Sequence, residues 1–158
     1  MAHAPKKRST PRQATALLRA DHKHVSDLFA RYAKARPHDR KAALAAQICT
    51  QLSVHAQIEE EIFYPAVKMA LHDQALVPEA TVEHATLKSL IAELQDGNTP
   101  RGEVFDAKMK VLSEYVKHHV KEEQDEMFPK ARATSLDMKQ LGAELAARKQ
   151  QLLAGVGA

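Results

Sequence analysis

The segment His55 to Pro65, HAQIEEEIFYP, decides the fold, because the segment His119 to Pro129, HVKEEQDEMFP, repeats its layout far down the chain. In each, a histidine is followed four residues later by a glutamate, His55 by Glu59 and His119 by Glu123. An aromatic–proline pair closes each segment, Tyr64-Pro65 and Phe128-Pro129. Repetition at this scale marks two copies of one supersecondary unit, and the i to i+4 spacing places each His/Glu pair on a single helix face.

The apolar rows extend those faces outward. Leu44, Ile48 and Leu52 lead into His55, Glu59, Ile62 and Ala66, while Phe105, Met109, Leu112 and Val116 lead into His119, Glu123 and Met127. Both pairs therefore point inward. Two further rows, Ala14, Leu18, His22, Val25, Phe29, Tyr32 and Ala80, His84, Leu87, Ile91, Leu94, each carry a histidine preceded in sequence by an acid, Asp21 and Glu83. The chain reads as all-α: two helical hairpins stacked into an up-down-up-down four-helix bundle, with a short additional C-terminal helix.

Local signals set the expected boundaries. Thr10-Pro11-Arg12-Gln13 supplies an N-cap, a first-turn proline and a capping-box residue, so the first helix is expected to start at Thr10 and to end near Arg36, before Pro37. The second, capped by Asp39, runs from about Arg40 to about His72, with Pro65 bending it or ending its regular part. A loop near Asp73 and Gln74 precedes a third helix from about Pro78 that stops at Asp96-Gly97-Asn98. Thr99-Pro100 is expected to cap and start the fourth. A fifth, opening at Thr134-Ser135-Leu136-Asp137 and carrying Leu136, Leu141, Leu145 and Leu152, is expected on the outside of the bundle. The division is a disordered basic tail over 1–9, the bundle over 10–133, and the C-terminal helix with a frayed end over 134–158.

A chain of 158 residues suits one domain burying roughly 70% of its unfolded surface. The net charge of +3 owes much to Lys6, Lys7, Arg8 and Arg12, without aromatic interleaving, so neither nucleic acid nor membrane is an expected partner. With no apolar run near the roughly 20 residues of a bilayer span and no signal-peptide core, a cytoplasmic location is expected. Cys49, the single cysteine, reads as a buried thiol.

Burying two carboxylates costs several kcal/mol unless something positive compensates. No Lys or Arg shares these rows, which makes a metal the natural partner. Imidazole plus carboxylate without thiolate suits iron, manganese or zinc. Four histidines and two glutamates exceed one tetrahedral zinc but suffice for two metals sharing bridging carboxylates. At a rise of about 1.5 Å per residue, His22 and His55 agree in depth within roughly 5 Å, and His84 and His119 within roughly 8 Å. The second-to-third connection mismatches more, and the Pro65 bend or a long loop must absorb it. His118 reads as a boundary residue, Glu60, Glu61, Glu122 and Glu126 as solvated or outer carboxylates, and His3, His24, His38 and His72 as surface positions. Tyr32 and Tyr115 read as core-edge tyrosines, and Met69, Met109, Met127 and Met138 as core filling.

From about residue 14 to 132 these motifs resemble the hemerythrin-like (HHE cation-binding) domain, and Leu141 to Lys149, LGAELAARK, resembles the C-terminal helix of such proteins. The resemblance implies a non-haem centre of two iron ions, oxo- or carboxylate-bridged, with manganese or zinc less expected. By matching position its ligands are His22, His55, Glu59, His84, His119 and Glu123, with Glu59 and Glu123 bridging. The sequence departs from oxygen-carrying hemerythrins at Lys88, where they have a further histidine. It also has Glu123 at i+4 where those carriers have an aspartate at i+5. The first departure leaves a position for water, peroxide, nitric oxide or another side chain and argues against simple oxygen carriage. The expected function is binding or sensing of O2, peroxide or nitric oxide. The alternatives are a di-iron oxidoreductase that removes peroxide or nitric oxide, and an iron storage or repair protein. No residue is assigned a catalytic role.

Overall fold

The computed structural model describes residues 12–36, 38–72 and 75–156, and among them every regular element is helical. Helix α1 spans Ala14–Lys34. Helix α2 (His38–Ile58) continues through a π-helical turn, π1 (Glu59–Phe63), into α3 (Tyr64–Leu71). Helix α4 covers Leu76–Gln95. The second composite rod joins α5 (Glu103–Glu122), π2 (Glu123–Met127) and α6 (Phe128–Arg132), and α7 covers Met138–Val156. Among the described residues these make five helical rods, and none is long and apolar enough to cross a membrane.

Regular α geometry stops at Ile58 and Glu122, immediately before Glu59 and Glu123, and not at the prolines. A proline has no N–H, so the carbonyl one turn earlier loses its donor. Here the strain is taken up by i to i+5 bonding, with Tyr64 N–H donating to Glu59 O and Phe128 N–H donating to Glu123 O. Pro65 and Pro129 then fall in the opening turns of α3 and α6, where a missing N–H costs little. The expected bend at Pro65 is thus a wide turn that begins at the glutamate itself.

Several helix ends differ from expectation. Gln13 is extended (φ −66°, ψ 162°) and its side chain accepts from Thr15 N–H at 2.8 Å, so it caps α1 and the helix starts beyond Thr10. Helix α4 begins at Leu76 and absorbs Pro78 in its first turn. It ends at Gln95, and the chain turns at Gly97, whose φ of +79° suits a residue without Cβ. Helix α5 begins at Glu103 after Gly102 (φ +130°), not at Thr99-Pro100. Thr99 instead turns its hydroxyl back to Glu93 O (3.3 Å) and accepts from Lys108 Nζ (2.9 Å). Helix α7 starts at Met138, with Asp137 Oδ1 accepting from Gln140 N–H, and stays helical to Val156, the last described residue. The 1–9 tail, Thr10, Pro11, Pro37, the Asp39 cap and the Asp73–Gln74 loop lie outside what is described.

Two apolar clusters divide the interior. One gathers Val25, Leu28, Leu52, Ile91 and Leu112, the other Leu18, Ile58, Phe63, Phe128 and Leu145. Because Leu145 is fully buried in the second, α7 completes the core and does not merely lie against it. Its close approach depends on Gly142: a Cβ there would collide with Arg12 O and sit 2.9 Å from Gln13 C and 3.0 Å from Ala14 N. Overpacking against backbone costs typically about 1–3 kcal/mol, so Gly142→Ala is expected to lower the urea midpoint. Gly155→Ala, with open space around it, should leave the midpoint unchanged or raise it.

Cys49 is buried as expected, and burial pushes its thiol up to about 11. Met69, expected as core filling, is exposed, as is Tyr115. Tyr32 donates to Asp106 at 2.6 Å.

Candidate metal centre

The junction between the two apolar clusters holds all six histidines and glutamates singled out by the sequence, and all six are buried. On α1, His22 lies between Leu18 of one cluster and Val25 of the other, and on α4, His84 lies between Ala80 and Leu87. The composite rods contribute His55 with Glu59 and His119 with Glu123 at the points where each changes from α to π geometry.

Their donor atoms form two groups that share both carboxylates. His22, His55, Glu59 and Glu123 make one, Glu59, His84, His119 and Glu123 the other, with ligand atoms inside each group within 4.8 Å of one another. In the first, His22 Nε2 lies 3.1 Å from His55 Nε2 and 3.2 Å from Glu123 Oε1, and His55 Nε2 lies 3.1 Å from Glu59 Oε1. In the second, His84 Nε2 lies 3.1 Å from His119 Nε2 and 3.3 Å from Glu59 Oε1, and His119 Nε2 lies 3.2 Å from Glu123 Oε2. Both Glu59 oxygens and Glu123 Oε1 are nonetheless without an aligned hydrogen bond. Lone pairs that converge on a shared point, and not on one another, produce this combination of short distances and missing alignment.

The outer nitrogens are held separately. His55 Nδ1 meets Asp21 Oδ2 at 3.0 Å, His119 Nδ1 meets Glu83 Oε1 at 3.3 Å and His22 Nδ1 meets Gln124 Oε1 at 2.9 Å, while His84 Nδ1 faces Glu60 Oε2 at 3.5 Å without an aligned hydrogen bond. In the first three, an acceptor on Nδ1–H fixes the tautomer that leaves the Nε2 lone pair facing inward. The acids of the Asp21-His22 and Glu83-His84 dipeptides therefore serve the histidine of the neighbouring rod, not their own. Asp21 is tied in turn to Lys149 Nζ of α7 at 2.5 Å, and Arg148 of α7 binds both oxygens of Glu61 at 2.7 and 3.2 Å. Glu60, expected to be solvated or outer, takes the outer role.

One residue of the site escaped the sequence reading. Tyr64 Oη lies 3.1 Å from His84 Nε2 and 3.2 Å from His119 Nε2, and it donates to Glu123 Oε2. Five residues past Glu59, a side chain points well away from it in an α-helix of 3.6 residues per turn. The wider π turn brings it back to the same face. At the matching position of the other repeat stands Phe128, stacked on His22 with ring centroids 5.9 Å apart. Lys88 turns outward to Glu60 Oε1 at 2.6 Å, so the extra oxygen near His84 and His119 comes from Tyr64. His24 and His72 are exposed as expected, while His118, expected at the boundary, is 65% exposed.

Protonation balances the charge when no cation does. Burial alone would push His55 down, but Glu59 and Asp21 outweigh it and hold the imidazole well above its usual range. His119 is likewise lowered by burial and raised more by Glu123, Glu59 and Glu83, to about 9. Burial would raise Glu123, yet its contacts with Glu59, His119 and His22 keep it well below the usual carboxylate range. Burial, then the Glu59 and Glu123 carboxylates, keep the Tyr64 phenol well above 10.

Comparison with known proteins places the fold and the family. The sequence model of the hemerythrin HHE cation binding domain matches residues 13–131. The crystal structure of a hemerythrin HHE cation binding domain-containing protein from Mycobacterium kansasii superposes with a TM-score of 0.78 at 23% identity, covering 91% of this chain and 89% of that one. A protein named DNA nickase from Nostoc sp. is 25% identical over 143 residues, which are 89% of this chain but 40% of the relative's length. With the family match extending over all four rods that supply the six donors, the chain belongs to the hemerythrin HHE cation-binding domain family.

Proposed function

We propose that the chain holds two iron ions, one between His22 and His55 and one between His84 and His119, with Glu59 and Glu123 shared by both. We read the four donor-bearing rods as the up-down-up-down bundle that frames them. The observation carrying this reading is the pair of buried carboxylates, each within reach of both histidine pairs and each with at least one oxygen lacking a hydrogen bond. The donor set fits: four imidazoles with inward lone pairs and two carboxylates, without thiolate, suit first-row metals of intermediate hardness. When bound, iron would supply one-electron redox chemistry and open positions for a small ligand.

The ligand we infer is O2, peroxide or nitric oxide, bound or sensed. A cavity of about 30 Å³ reaches the four histidines and is otherwise walled mainly by Val25, Leu52, Leu87, Ile91 and Val116. A cavity needs about 10–15 Å³ on this measure to hold one water, so this one has room for a molecule of two to four atoms and not for a bulky substrate. The apolar walls keep bulk water out and favour neutral ligands. Peroxide turnover is a second reading, favoured by the Tyr64 hydroxyl, a proton source in contact with Glu123 and on the His84 and His119 side.

Metal analysis and visible spectroscopy test the proposal. Two iron per chain are expected, with absorption that shifts on adding azide, peroxide or nitric oxide. A chain that takes up no iron, or an iron-loaded chain whose spectrum ignores all three, overturns it. Tyr64→Phe removes the extra oxygen without changing the ring. It is expected to weaken the ion at His84 and His119 by about 10–100-fold and leave the other unaffected, which stepwise metal titration resolves.

A further inference from the structure

The His/Glu spacing of the buried centre occurs once more, one residue out of register, in His118 and Glu122 of α5. Their side chains face outward. His118 Nε2 lies 3.1 Å from Glu122 Oε1 and 3.8 Å from Glu83 Oε2 of α4, and the three side chains can offer one cation a ligand atom each. We propose that Glu83, His118 and Glu122 form a third, surface site for a divalent cation, from which iron is passed inward to Glu123.

Two independent observations favour a cation here. The first is the charge around the carboxylates that hold the buried histidines. Asp21 has Lys149 Nζ at 2.5 Å and Glu60 has Lys88 Nζ at 2.6 Å. Glu83 instead meets the imidazoles of His118 and His119, with the like-charged Glu122 converging on the same His118. A divalent ion supplies at Glu83 the positive charge that a lysine supplies at the other two. The second is the path inward. A narrow cleft between α4 and α5 is lined by Glu79, Glu83, Glu122, His119 and Glu123. Glu123 closes its inner end at 2% exposure, with Oε2 on the side of His119. Glu83 touches the outer cluster through Oε2 and His119 through Oε1, so one carboxylate spans both sites. Oxygen and imidazole donors in an open, incomplete set suit weak and exchangeable binding, as a transfer station requires.

The transfer step rests on the dinuclear reading above; the surface site does not. Titration of the metal-free chain with Mn2+, followed by electron paramagnetic resonance of the free ion, should show two tight equivalents and one weaker. The double variant His118→Ala, Glu122→Gln should keep the tight pair and lose the weaker equivalent. It should also take up Fe2+ several-fold more slowly under anaerobic conditions while reaching the same final content. Glu59→Ala should do the reverse, losing the tight pair and keeping the weaker ion. A weaker equivalent that is absent from the parent chain, or that persists in the double variant, overturns the surface site. An unchanged rate of Fe2+ uptake overturns the transfer. Failure of the dinuclear reading is seen separately, as missing tight equivalents in the parent chain.

Discussion

Glu59→Ala is expected to abolish tight binding at both positions of the proposed centre, not one. Glu59 Oε1 lies 3.1 Å from His55 Nε2 and 3.3 Å from His84 Nε2, so a single truncation removes a donor from each group. Glu123 cannot replace it, because its two oxygens already face His22 and His119 at 3.2 Å each. Loss of an outer partner costs roughly 10–100-fold in metal affinity, and that is the effect expected of Glu60→Gln, whose carboxylate only faces His84 Nδ1. Glu59→Ala should exceed that range for both ions. Calorimetric titration of the two variants checks the contrast. Equal, small losses would remove Glu59 from the set of ligands.

The second large effect is a fall of stability with rising pH that appears on metal removal. In the metal-free chain His119 holds its proton up to about 9, against about 6.5 for an unperturbed imidazole. A group whose folded pKa is raised stabilises fully below its unfolded value and loses that contribution as pH rises through the folded one. The metal-free melting temperature is therefore expected to fall between about pH 6.5 and 9. Metal binding must expel the same proton, and that of His55, whose pKa is also raised. Affinity should then climb over the same interval, by about tenfold per pH unit for each proton released. Ligand saturated at 1,000 times its dissociation constant adds about 4 kcal/mol, so loaded and metal-free curves should diverge as the solution becomes more alkaline. Scanning calorimetry with and without a chelator from pH 6 to 9 measures both slopes. Parallel curves would mean that these histidines do not trade protons for metal.

Much of this architecture was legible before any coordinates. The repeated His/Glu pairs and the apolar rows through them announced helices with inward donors, because periodicity is a local property and each row reports which face is buried. The six donors do meet, and the glycine at the end of the third predicted helix does turn the chain. Boundaries were less legible where a proline suggested a start: Thr99-Pro100 looks like a cap, but only the backbone freedom of Gly102 locates the beginning of α5.

What the sequence determined by itself was which histidines and glutamates turn inward and the all-helical scaffold. Tertiary structure alone decided the rest. It put Tyr64 beside His84 and His119, since this requires a π turn that no α periodicity anticipates. It crossed Asp21 to His55 and Glu83 to His119, and it brought Lys149 across 128 positions to Asp21. Such contacts depend on how far each rod is rotated and slid against its neighbour. Those two quantities are set by the collective fit of side chains from all five rods, and no single stretch of sequence encodes them.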